Sequence, residues 1–131
     1  MKACLLTLSA MFFAAAFCAG CATVNFADDY HGMGIEDGEP PIETVEIENT
    51  GWFLFRFIPL GSGNPLKPNR VSCNFFSNSV TLQNNLEMLE DEMERVGAKR
   101  VANLTSRKTD ESMFIILLTR RAYHTSAVLL K

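Results

Sequence analysis

Residues 3–20 read ACLLTLSAMFFAAAFCAG, a run without a single charge that has only Thr7 and Ser9 as polar side chains and stops at Cys21. Nothing else constrains the chain as strongly. An apolar stretch of this kind either enters a membrane or is removed, and in neither case does it belong to the folded core. It follows one cation, Lys2, and ends in small residues, which is the order of a secretory signal: positive start, apolar helix, small cleavage site. The competing reading is a permanent span. That needs about 20 predominantly apolar residues, a length reached here only by taking in Cys21 to Val24, and the run is followed by Asp28 and Asp29 with no Lys or Arg to hold it. The expectation is a signal segment over residues 1–20.

Ala19-Gly20-Cys21 then resembles the lipobox of bacterial lipoproteins. The resemblance implies that the Cys21 thiol takes a diacylglycerol, that the peptide is cut just before it, and that the new amino terminus is acylated. Small residues suit such a cut, because the peptidase must draw an extended backbone close at the bilayer surface. The position three before the cysteine, usually Leu in that family, is Cys18 here, and Phe17 makes Cys18 itself a poor modification site. An ordinary cut near Ala19 or Ala22 would instead release a secreted protein. Each buried methylene contributes about 0.8 kcal/mol, and two or more acyl chains hold durably where one does not, so a triacylated Cys21 implies lasting attachment. In Gram-negative lipoproteins the second mature residue sorts between membranes. Here it is Ala22 and not Asp, which by resemblance points to the outer membrane, facing the periplasm.

Removal of the first 20 residues leaves 111 of 131, room for one compact domain. Lys2 leaves with them, so 11 of the 12 basic residues face 15 acids, a net charge of about −4 that offers no basic face for nucleic acid. Cys4 and Cys18 also leave, lipid consumes Cys21, and Cys73 is an odd thiol with no internal bridge to make. Its expected place is as a small buried side chain. The sharper alternative is a nucleophile paired with His124.

Residues 21–44 carry Asp28, Asp29, Glu36, Asp37, Glu39 and Glu43, no Lys or Arg, and the pair Pro40-Pro41. Too little apolar surface is present to offset the entropy of ordering, so this segment is expected to be a flexible lipid-anchored tether with a reach of roughly 25 Å for about 20 residues. DDYHGMG within it brings Asp28 and Asp29 near His31, but a metal site wants three or four ligands on a rigid frame, and no metal or other cofactor is expected. GMGIEDG has neither the preceding strand nor the following helix of a phosphate loop.

The domain is expected over 45–131. TVEIEN alternates Val45 and Ile47 with Glu46 and Glu48, the period of a half-buried strand; NTG at 49–51 reads as a turn; WFLFRFI at 52–58 reads as a second strand, with Trp52, Phe53, Phe55 and Phe57 in the core. GSGNPLKPN is a loop. Leu82, Leu86, Leu89, Met93 and Val96 form one apolar stripe in a helix over 80–96, capped by Thr81 or Ser79 and stopped by Gly97. Its outer face carries Glu87, Glu90, Asp91 and Glu94, a solvated surface or a docking site for a partner. KRVANLTS, MFIILL and Tyr123 to Leu130 read as three further strands, with RKTDES a turn. The sum is an α+β fold: about five strands in a mainly antiparallel sheet covered by one helix, in the order ββαβββ.

This pattern, with NTGWFLFRFIPLGSGNP, the helix ending in VGAKRVANL and the closing HTSAVLL, resembles small uncharacterised bacterial envelope lipoproteins over residues 45–130. It is similar also to envelope-stress and surface lipoprotein domains at the Gly97-Ala98 turn, but without their paired cysteines, so disulfide sensing does not carry over. These resemblances imply a membrane-anchored envelope protein with a binding or structural role, partnered by the membrane and by another envelope protein; no nucleic acid or small-molecule ligand is indicated. The alternative is a secreted or periplasmic enzyme using Cys73 or His124.

Overall fold

The computed structural model describes residues 21–27, 41–70, 72–113 and 117–131. The expected signal segment 1–20 and the cluster of Asp28, Asp29 and His31 lie outside them. The chain runs β1 (Ala22–Ala27), β2 (Pro41–Leu54), β3 (Ile58–Gly63), β4 (Cys73–Phe75), α1 (Leu82–Val96), β5 (Arg100–Met113) and β6 (Leu118–Leu130). All pairings within the 6-stranded sheet are antiparallel. The α+β expectation of a mainly antiparallel sheet with one helix therefore describes these residues.

The long strand β2 organises the sheet. One of its edges pairs with β6 from Pro41 to Leu54, and β6 pairs in turn with β5. The other edge is shared end to end: β1 takes Thr44 to Asn49, and β3 takes Gly51 to Leu54, with β4 outside β3. Val45 and Ile47 are buried while Glu46 is exposed, the alternation read from TVEIEN. With Ala22, Val24, Ala127 and Leu129 they form a core closed by Met88 and Leu89 of α1.

The sheet departs from the expected layout in four places. First, residues 22–27 and 41–44, expected in the tether, are strand, the latter as the start of β2 along β6. The acids, glycines and prolines that argued for disorder stand after Phe26, whereas ATVNFA is uncharged and buries Ala22 and Val24. Second, NTG is no turn. Asn49 and Thr50 are buried mid-strand, because their side chains have partners there: Asn49 Nδ2 donates to Ser79 O, and Thr50 bonds Cys21. The chain reverses instead at Phe55 and Arg56, both with positive φ, and Phe57 N–H donates to Leu54 O. Third, RKTDES continues β5 as an exposed edge strand that ends at Met113, the first residue of MFIILL, and Leu118, its last, opens β6; residues 114–116 lie outside the described set. Fourth, two strands that were not expected precede the helix, β3, which takes the first residues of the GSGNPLKPN loop, and β4 beyond that loop, and the order ββαβββ gives way to one in which β1 to β4 come first.

The helix forms where its periodicity predicts it, but rotated. Thr81 caps it by accepting from Asn84 N–H at 3.2 Å, and Gly97, at φ 71°, ends it. The buried residues are Asn85, Met88 and Leu89, with Met93 and Val96 packed at the margin, whereas Leu82 and Leu86 stay exposed. Asn85 accounts for the rotation, since its Nδ2 donates to Tyr123 O and Thr125 Oγ1, each at 3.1 Å, on β6.

Candidate functional site

Cys21 opens the sheet. Its side chain is exposed, while its backbone is held on both sides by one residue: the Cys21 N–H donates to Thr50 Oγ1 at 2.9 Å, and its carbonyl accepts from Thr50 N–H at 2.9 Å. Gly63, the last residue of β3, abuts it. A Cβ there would stand 2.7 Å from Cys21 O and closer still to Cys21 C and Ala22 N, so only glycine fits against this backbone. On the outer side, the loop after β3 folds over β1. Asn69 N–H donates to Ala22 O at 2.8 Å, and its side chain bonds Val24 twice. Position 21 is thus a fixed point on the sheet with its sulfur facing outward. Thr50, Gly63 and Asn69 were not recognised in the sequence as its neighbours, because residues some 30 to 50 positions away carry no local signal for a contact with Cys21.

The four acids of the expected docking face, Glu87, Glu90, Asp91 and Glu94, are all exposed on α1. At the end of the same helix, Arg95 bonds Glu92 and lies 3.4 Å from Glu43, with its guanidinium 4.7 Å from the Phe26 ring. The bond to Glu92 holds the Arg95 pKa above its ordinary value, against a smaller opposing effect of desolvation.

His124 and Cys73 do not share a site. His124 sits on β6, opposite Glu48 of β2 and Arg107 of β5, at a shallow cavity of about 300 Å³ lined by Glu46, Thr105, Arg107 and Ser126. Cys73 is half-buried on β4, opposite Gly63. β3 and β2 stand between their strands, which puts the two strands about 14 Å apart at ordinary strand spacing. Among the described residues no group of three or more His, Cys, Asp or Glu could hold a metal ion, and no helix is long and apolar enough to cross a membrane.

The aromatic hairpin divides in two. Phe53 is in the core at 1% exposure, under the guanidinium of Arg121 at 4.4 Å, and Trp52 is half-buried. Phe55 and Phe57, expected inside, are exposed because they stand in the turn and beside it. The most exposed large apolar side chains among the described residues are Leu66 (81%), Phe76 (78%), Phe57 (73%) and Phe75 (55%), all on β3, β4 or their flanks.

No protein-family model matches the chain, and neither the curated proteins nor the solved structures yield a significant match.

Proposed function

We propose that this chain is a cell-envelope lipoprotein, anchored through lipid on Cys21 and serving as a non-catalytic binding or structural module. The observation that carries the reading is the uncharged run 3–20 closing on Ala19-Gly20-Cys21. The exposure of Cys21 supports it, since a diacylglycerol needs an open thiol, and the ordered sheet begins at the very next residue. The sorting residue Ala22 favours the outer membrane, and the exposed acids of α1 are the surface offered to an envelope protein partner. A nucleophile built from Cys73 and His124 together draws no support from geometry, because the two stand on different parts of the sheet.

Labelling of the producing cell with radioactive palmitate, with Cys21→Ala as control, tests the anchor. The expected outcome is label on the wild type alone; an unlabelled wild type overturns the reading.

A further inference from the structure

We propose that the β3–β4 edge of the sheet lies on the bilayer surface, with Leu66, Phe75 and Phe76 at the lipid boundary and Lys67 and Arg70 on anionic headgroups. The inference rests on the Cys21 anchor and adds an orientation to it. Its first support is position. Because Thr50 and Gly63 grip the Cys21 backbone, an acylated Cys21 has no slack of its own. Leu66 follows Gly63 by three residues, at most about 11 Å of chain, and the loop returns to Ala22 through Asn69. Whatever surface receives the acyl chains therefore meets this loop as well.

The second support is charge. The chain as a whole is acidic, yet residues 49–86 contain no Asp or Glu, and their only charged side chains are Arg56, Lys67 and Arg70. All three are exposed, and neither Lys67 nor Arg70 forms an ion pair with a described residue. The third is apolar exposure. Phe75 stands opposite Gly61, and Phe76 N–H donates to Leu60 O, so Leu66, Phe75, Phe76 and Phe57 follow one another along the edge, from the Cys21 end toward the β2–β3 turn. Apolar side chains projecting among cations, in a segment with no acid of its own to repel phosphate, fit an interfacial layer in which rings enter the headgroup region and cations stay at its surface. A protein partner adding a strand to β4 is the competing occupant. That edge spans only three residues, Cys73–Phe75, and offers little ladder to extend.

The test uses lipidated protein purified from the producing cell and reconstituted in vesicles of phosphatidylcholine and phosphatidylglycerol. Nitroxides are placed at Leu66→Cys and, separately, Phe76→Cys in a Cys73→Ser background, with Glu90→Cys on the helix as the aqueous reference. The expected result is that the labels at 66 and 76 are severalfold less accessible to an aqueous nickel chelate than the one at 90, and more accessible to oxygen dissolved in the bilayer. Equal nickel access at all three, on protein whose mass shows lipid on Cys21, overturns the orientation while leaving the anchor intact, and favours a protein occupant. A mass without that lipid overturns the anchor, and the orientation falls with it.

Discussion

The side chain of Asn69 pairs with the backbone of Val24 as a neighbouring strand would: Oδ1 accepts from the Val24 N–H at 3.0 Å, and Nδ2 donates to the Val24 carbonyl at 2.9 Å. With the main-chain bond from Asn69 N–H to Ala22 O, one loop residue occupies three outward-facing groups at the start of β1 that would otherwise be open to another chain. Asparagine suits the place because it tolerates the left-handed backbone, φ 60°, that points the side chain at the strand.

Asn69→Ala is therefore expected to lower stability by about 1–2 kcal/mol, the worth of the lost side-chain bonds. Urea unfolding measures the loss, and amide exchange should speed up first at Val24. A variant that unfolds at the wild-type midpoint would show that β1 does not depend on the loop.

Gly63→Ala places a methyl group against the Cys21–Ala22 backbone, where no flexible side chain can yield. The start of β1 must move, and the expected cost is about 1–3 kcal/mol, typical of overpacking a tight contact. Thermal unfolding gives the size of the effect. Faster exchange at the Thr50 amide, which bonds Cys21 O, would locate it.

Asn85→Ala removes a fully buried side chain and leaves Tyr123 O and Thr125 Oγ1 without its two donor hydrogens. The loss is expected to be about 2–3 kcal/mol, combining an unsatisfied acceptor with a small cavity. Leu86→Ala on the exposed side of the same helix should stay within about 0.5 kcal/mol. The reverse ranking in denaturant unfolding would restore the helix face first expected from the leucine spacing.

Asp110 supplies a pH test. Partial burial pushes its pKa up, but the hydrogen bond from Arg121 at 2.9 Å, with the charges of Arg121 and Lys108, outweighs that and holds it below its ordinary 3.8. A depressed folded-state pKa contributes stability above the unfolded value, and that contribution is lost as pH falls through the folded one. Wild type should therefore exceed Asp110→Asn in unfolding free energy at neutral pH, with the gap closing as pH drops below 3.8. Because Asp110 stands on the edge strand β5 and is exposed to water, the gap will be small. A gap that widens in acid would contradict the assigned pairing.

What could be read in advance was local. The strand around Val45 and Ile47 was legible in its alternation, and the helix in its spacing and in Gly97. The helix face was not, because Asn85 is buried for bonds to β6 that only tertiary structure supplies. Asn49 and Thr50 look like turn residues until their side chains find Ser79 and Cys21. The real reversal at Phe55-Arg56 has none of the glycine or asparagine that normally takes positive φ. At the candidate site, Cys21 stood out through its own flanking residues, whereas Thr50, Gly63 and Asn69 reach it from distant segments and leave no trace in local pattern.

The tandem placement of β1 and β3 along one edge of β2 also decides how the molecule answers a mechanical load entering at Cys21. β1 lies side by side with β2 over the pairs from Ala22↔Asn49 to Ala27↔Thr44. A tug along the strand axis stretches those rungs in shear, all together, whereas a tug across it peels them in succession from Thr50. The same hydrogen bonds thus make a stiff grip in one direction and a zipper in the other.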